Sequence, residues 1–395
     1  METRETFSTK YFEENFNWKE QLNTIQNWID QCPEGGTVSI PAGTWLSGPL
    51  HLKSDLTLYL EEGSRILFSN RPEDYLPAVF TRWEGVECFN YSPLIYARGC
   101  EHITIAGPGT LDGNGREWWH WKKLQQNAAD RLIWSESRKI APEDRIFATE
   151  SDALRPSFLQ FIDCHHLTLQ DFTITEGPQW TIHPVYCTDL TARHLTVLTS
   201  GPNTDGFNPD SCENVRIEDC TFSTGDDCIA INSGLNEDGW RVNRPCRNVE
   251  ICNCHFHGGH ASIAIGSGMS GGIENIYVHD CTITQSERGI RIKSMRGRGG
   301  YVKNLKFERI TMNQIDEEAV QISMNYGSST SVPASDKAPV FKDITFCDLT
   351  CTHAKRGIEL TGLPESPLQN LHFTRCELHG DLPDKKEYVE NVENL

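Results

Sequence analysis

Residues 166–174 read "HLTLQDFTI", and the same pattern returns seven times downstream: "DLTARHLTV" (189–197), "NVRIEDCTF" (214–222), "NVEICNCHF" (248–256), "NIYVHDCTI" (275–283), "NLKFERITM" (304–312), "DITFCDLTC" (343–351) and "NLHFTRCEL" (370–378). The leading apolar positions are Leu167, Leu190, Val215, Val249, Ile276, Leu305, Ile344 and Leu371, spaced by 23, 25, 34, 27, 29, 39 and 27 residues. Five residues after each comes Phe172, Leu195, Cys220, Cys254, Cys281, Ile310, Leu349 or Cys376. The outer spacing varies and the inner offset never does. That combination describes one structural unit repeated, with loops of different length between copies.

Most units carry a further short strand: "CIAI" (228–231), "SIAI" (262–265), "GIRI" (289–292), "AVQI" (319–322) and "GIEL" (357–360). Their apolar residues alternate with period two, and no helical period competes. Units of this length built from several short strands predict an all-β fold, a right-handed single-stranded parallel β-helix in which each coil stacks on the next. A chain of 395 residues exceeds one compact core, but a solenoid keeps adding core along its axis, so residues 1–395 are expected to form one domain. At residues 18–32, Leu22, Ile25, Trp28 and Ile29 fall at helical spacing, which predicts a short amphipathic helix capping the first coil. A long interruption, residues 112–160 with its Trp-rich start, is expected to fold over the side of the stack.

Composition excludes several classes of function. A net charge of −19 argues against nucleic acid or an anionic membrane surface as partner, and no apolar run approaches the roughly 18 residues a membrane span needs. The polar start, "METRETFSTKYFEENF", has no apolar signal core, and the 15 Cys are scattered rather than set in a spaced framework. Both point to a reducing, cytoplasmic location. The stretch "CNCHFHGGH" (252–260) resembles a metal site, but Cys254 belongs to the inward ladder and is unable to face a metal at the surface, so neither a metal nor a cofactor is expected. Nothing in the composition sets the oligomeric state.

Aligning the second strands places Phe207, Ile229, Ile263 and Ile290 in one inward row. Asp205, Asp226, Asp227, His260, Arg291 and Lys293 then arise from one sector of four successive coils, with neighbouring strands about 4.8 Å apart. An ideal strand would point Asp226 and Asp227 to opposite faces, so a bend at Gly225 is expected to turn both outward. Like-charge crowding of that pair is expected to raise the pKa of one of them. Any one of these Asp residues alone reads as a turn cap, and Arg296 and Arg298, between glycines, read as a solvated loop. Shared occupancy of one stripe is what points to chemistry: one carboxyl to protonate a leaving oxygen, another to activate water, and cations to bind an anionic substrate.

The blocks "NTDG" (203–206), "GDD" (225–227), "GGHAS" (258–262) and "RIK" (291–293), in that order, resemble the polygalacturonase family of glycoside hydrolases, family 28. The insertions at 117–134 and 232–246 are similar to those of its exo-acting bacterial members. The resemblance covers most of the chain, from about residue 24 to about residue 325. It implies hydrolysis of α-1,4-galacturonosyl linkages in an acidic oligo- or polysaccharide, with Asp226 as general acid, Asp205 and Asp227 activating water, inversion at the anomeric carbon, and His260 supporting the site. It further implies that Arg291 and Lys293 bind the sugar carboxylate, and it places Asn203, in the first block, and Tyr326 at the substrate. Trp180, one coil before Asp205, is expected in the floor, and Trp118, Trp119 and Trp121 are candidates to stack on sugars or to pack. Where the family has Gly-His-Gly, this chain has Gly259-His260-Ala261, which adds a methyl group near the bond to be cleaved. Alternatives are a rhamnogalacturonan or other uronate-glycan hydrolase, a Ca²⁺-dependent lyase on the same architecture, and a non-catalytic polysaccharide-binding β-helix.

Overall fold

In the computed structural model, which describes residues 21–327 and 335–393, parallel strands wind into a right-handed parallel β-helix of three stacked faces. One face carries the row Leu167, Leu190, Val215, Val249, Ile276, Leu305, Ile344 and Leu371, each in register with the next. A second carries Ile174, Val197, Phe222, Phe256 and Ile283. The third runs Ile95, Leu159, Ile182, Phe207, Ile229, Ile263, Ile290, Val320 and Ile358. All three rows point into one apolar core. The rows expected from the repeat are therefore the rows observed, including Phe207 beside Ile229.

The constancy of the five-residue offset has a backbone cause. The residue before each leading apolar position has left-handed φ: His166, Asp189, Asn214, Asn248, Asn275, Asn304, Asp343 and Asn370. So does the residue before each Phe/Leu/Ile/Cys position: Asp171, His194, Asp219, Asn253, Asp280, Arg309, Asp348 and Arg375. Two left-handed residues five apart turn the chain at the same two corners in every coil, and Asn and Asp tolerate that region best among residues with a Cβ. At the first corner the side chains also form a ladder, Asn248 donating to Asn214 at 3.1 Å, Asn275 to Asn248 at 3.1 Å and Asn304 to Asn275 at 2.6 Å.

The N-terminal helix spans Thr24–Gln31, with Ile25 and Ile29 fully buried and Trp28 edge-on to Trp45. Residues 18–20 of the expected helix lie outside the described residues. The interruption at 112–160 does fold along the side, as short helices Trp119–Lys123 and Gln126–Ile133 and a strand Ile146–Phe147. That strand joins an antiparallel hairpin, Val79–Trp83 with Val86–Asn90, which the repeat analysis did not anticipate. Its two-residue turn, Glu84-Gly85, has positive φ at both positions (43° and 87°), the combination of a type I′ turn that matches strand twist. A second apolar cluster seats the hairpin, with Trp83, Val86 and Cys88 against Leu132, Ile133 and Phe147.

Charge also fixes the hairpin. Arg82 donates to Asp210 at 3.0 Å and to Ser211 at 2.9 Å, and both ionic side chains are 0% exposed. The same Asp210 oxygen accepts Gly234 N–H at 2.9 Å, so one carboxylate ties the hairpin to the insertion after residue 232. Burial pushes the Asp210 carboxyl upward, but Arg82 and His183 outweigh it and hold it below the ordinary value. Its contribution is therefore present above the usual carboxylate range and lost as pH falls below it. Asp210→Asn removes the carboxylate directly paired with buried Arg82, and thermal or denaturant unfolding is expected to show a loss of about 3–5 kcal/mol.

Candidate active site

The acidic stripe lies where the third face begins. The strand Thr221–Thr224 ends, the chain bends at 225–226, and the next strand starts at Ile229, so Asp226 and Asp227 sit at a corner rather than within a strand. Both turn to the same side. The bend was expected, but Gly225 serves it by close approach rather than by unusual φ: a Cβ there would meet Gly201 O at 2.2 Å. Gly259 in the next coil is required twice over, by a φ of +83° and by Asp226 O only 2.5 Å from where a Cβ would stand. Main-chain bonds Gly206 N–H to Asp227 O at 3.0 Å and Cys228 N–H to Ala261 O at 2.8 Å hold the three coils in register.

Oxygen atoms of Asp205, Asp226 and Asp227 all lie within 4.8 Å of one another. Three partners make that crowding tolerable. Lys293 Nζ sits 2.6 Å from Asp227 Oδ2, with that carboxylate 2% exposed. Burial would lower the Lys293 pKa, yet the charges of Asp227, Tyr326 and Asp226 together raise it. His260 Nδ1 is 3.1 Å from Asp226 Oδ1. Asn208 Nδ2 donates to Asp205 Oδ2 at 2.9 Å. Lys293 thus supplies the triad with a cation of its own. A second cluster, Glu250, Cys252 and His279, is engaged in ion pairs of Glu250 with Arg216 and His279.

The proton distribution differs from the expected one. Crowding was expected to act within the Asp226–Asp227 pair, but it falls on Asp205, which burial first, then the charges of Asp226 and Asp227, push well above the usual carboxylate range. Burial also pushes Asp226 up, but the His260 hydrogen bond and charge, with Lys293, reverse the sign and leave it low. His260 is raised by that same hydrogen bond. The proton next to Asp226 therefore resides on His260, one hydrogen bond away.

The other expected residues gather here as well. Asn203 donates to Asp226 Oδ2 at 3.4 Å and is itself held by Arg155 Nη2 at 2.8 Å. Trp180, Asn203, Lys293 and Tyr326 line one cavity with the three Asp residues. The Tyr326 ring has Arg291 and Lys293 each 5.3 Å from its centre. Arg291 stays half-buried, bonded to Gln321 Oε1 at 3.0 Å.

Of the two roles open to them, Trp118 and Trp121 take packing: they are buried against each other and Tyr91, and Trp119 donates its indole N–H to Gly177 O at 3.0 Å. Two expectations need correction. The Ala261 methyl is 0% exposed, packed with Ala230 and Ala264 beneath the site, so it does not enter the cavity. Arg298 is not in a solvated loop; it is 2% exposed and lines the cavity, whereas Arg296 is exposed and paired with Glu365.

Glu84, Lys122 and Leu235, which the repeat did not flag, also line the cavity. Leu235 N–H bonds Gly85 O at 3.0 Å, and Gln179 donates to Glu84 Oε1 at 2.9 Å, so hairpin tip, insertion and coil form a continuous wall. The cavity volume is about 140 Å³, close to the ~150 Å³ that accommodates one benzene-sized ring.

Comparison with known proteins agrees with this geometry. The sequence model described as "Glycosyl hydrolases family 28" matches residues 144–395. A "Probable polygalacturonase" of Vitis vinifera is 31% identical over 357 residues, 88% of this chain and 67% of its own. An "Exo-poly-alpha-D-galacturonosidase" of Dickeya chrysanthemi is 28% identical over 381 residues, 86% of this chain and 62% of its own. The chain thus spans about two thirds of the length of these curated relatives. Among solved structures, a hyperthermoactive exopolygalacturonase from Thermotoga maritima superposes with a TM-score of 0.87 at 32% identity, covering 95% of this chain and 86% of that one. With residues of three motif blocks lining one cavity, His260 of the fourth paired to Asp226 at its edge, and the family match running through more than half of its residues, the chain belongs to glycosyl hydrolases family 28.

Proposed function

We propose that the protein hydrolyses α-1,4-linked galacturonosyl chains from an end, by direct attack of water. The observation that carries this reading is the carboxylate triad at the edge of a cavity walled on one side by Glu84, Lys122 and Leu235. A cleft that cuts within a polymer must be open at both ends. A space the size of one ring, walled on one side, suits a terminal residue.

The roles follow from exposure and hydrogen bonding. Asp226 is the acid: its side chain is 17% exposed, against 2% for Asp227, and only an accessible carboxyl reaches a glycosidic oxygen. It delivers to the leaving oxygen the proton it shares with His260. Asp227 is the base. Its Oδ2 accepts Lys293, while its buried Oδ1 has no hydrogen-bond partner among the described residues, which leaves a lone pair for the attacking water. Asp205, held on the other side by Asn208, positions that water.

Carboxylate separation alone would favour a covalent, retaining route, since inverting enzymes usually hold their carboxyls about 6.5–9.5 Å apart and these oxygens are within 4.8 Å. Accessibility favours the opposite. A covalent nucleophile must reach the anomeric carbon unencumbered, but Asp227 is covered and ion-paired, and Asp205 is 5% exposed with a raised pKa. Water between them is the available nucleophile, and the outcome is inversion.

Asp226→Asn removes the carboxyl through which the proton passes from His260 to the leaving oxygen while keeping the shape of the side chain. With polygalacturonate as substrate, kcat is expected to fall about 10²–10⁴-fold while KM moves little; unchanged turnover would return the protein to the class of non-catalytic binders.

The His260–Asp226 pair sets the alkaline limit. Its shared proton is lost as pH rises through the raised His260 pKa, so kcat should decline above that point. In His260→Asn the proton is held by Asp226 alone, and the limb should move to lower pH, since a coupled pair always holds its last proton at least as tightly as either member. A pH–rate profile of the variant that superposes on that of the wild type would contradict the assignment.

A further inference from the structure

We infer that Arg298 is the carboxylate-binding residue for the terminal sugar acid in the cavity, an inference that rests on the exo-acting reading above. The expected carboxylate ligands are compromised for that task. Lys293 is committed to Asp227 at 2.6 Å. Arg291 lies against Gln321 and Tyr326, outside the group of side chains that line the cavity. Arg298 differs from both: it lines the cavity, is 2% exposed, and has no carboxylate partner among the described residues.

A guanidinium carries five N–H donors. Here Nη1 reaches Asn236 Oδ1 only at 3.5 Å, Nη2 reaches the Met295 thioether sulfur at 3.9 Å, and Nε has no partner. Burying a charged group in this state costs several kcal/mol. Burial pulls its pKa down to about 10, with only the more distant Tyr326 and Glu84 opposing the shift. The backbone nonetheless fixes it in place: Trp240, from the helix Asn236–Val242, donates its indole N–H to Arg298 O at 2.9 Å, and the N–H groups of Gly297 and Gly299 both bond Lys337 O. A cation held this firmly on the lining of a polar cavity, with only long contacts at Nη1 and Nη2 and none at Nε, is organised for an anion that arrives from outside. A carboxylate would satisfy two donors at once in the bidentate geometry that guanidinium favours. Glu84, also on the cavity lining, offers only acceptors once ionised, which suits sugar hydroxyls and repels a second carboxylate. The pair distinguishes the acid edge of a uronate from its hydroxyl edge.

Calorimetric titration with galacturonic acid and with galactose, which carries a hydroxymethyl group in place of the carboxylate, tests this directly. The wild type should bind galacturonate at least tenfold more tightly than galactose. Arg298→Gln should bring galacturonate down to the galactose level, Arg298→Lys should restore part of the preference, and Arg291→Gln should retain it. Because an unpaired buried charge is removed, the melting temperature of Arg298→Gln should be unchanged or higher. Retention of the galacturonate preference by Arg298→Gln overturns the inference, as does a wild type with no preference or a marked fall in melting temperature. Reducing-sugar release from trigalacturonate is read in parallel. A wild type that binds with the expected preference but does not hydrolyse contradicts the proposed function alone, whereas normal hydrolysis with Arg298→Gln unaltered in binding contradicts the Arg298 assignment alone.

Discussion

Parallel stacking in strict register is the constraint from which the site follows. Adjacent coils lie about 4.8 Å apart, so any position that recurs at a corner of successive coils is brought into contact with its counterparts. Asp205, Asp226 with Asp227, His260, and Lys293 occupy such positions in four consecutive coils. The left-handed residues at the two corners of each coil keep that register from drifting. A fold with looser periodicity would not hold three carboxylates within 4.8 Å of one another.

Holding them there has consequences that the protein meets with specific partners. Each carboxylate is settled differently: Asp227 by a buried ammonium, Asp226 by an imidazole, and Asp205 by burial that favours its neutral form. The asymmetry is the chemistry. Three identical acids are divided into one covered and ion-paired, one accessible and held low by an imidazole, and one pushed towards its neutral form, and the division comes from the coils above and below each one. Beneath this layer, Arg82 and Asp210 anchor the hairpin whose tip lines the cavity, so the buried ion pair and the cavity wall are parts of one assembly.

The β-helix and its site were legible in the sequence to different depths. Rows from Leu167 to Leu371 and from Phe207 to Ile290 were readable because a period-two pattern and a constant offset leave only one way to stack. The stripe from Asp205 to Lys293 followed from the same count. What lay off the repeat was not readable. Glu84 and Lys122 reach the cavity from the hairpin and side helices, and nothing in a periodic count says where an insertion returns. Arg298 sits between glycines, a context that reads as a loop, and only its packing beneath Trp240 and Asn236 reveals a buried cation. Trp118 and Trp121 were legible only as a choice, because an aromatic residue in an insertion suits a sugar platform and a core alike; the side excursion needed a core of its own. The direction of the Asp226 shift also escaped, because it depends on a hydrogen bond from His260 rather than on sequence adjacency to Asp227.

Proton NMR of trigalacturonate during its first turnovers tests the central claim most directly, since one spectrum reports both where the chain is cut and how. The account predicts that free galacturonic acid appears first, as its β-anomer, before mutarotation supplies the α form. Initial formation of the α-anomer would contradict attack by water held at Asp227. With a longer oligomer, early internal fragments in place of the monomer would contradict a cavity walled by Glu84 and Leu235.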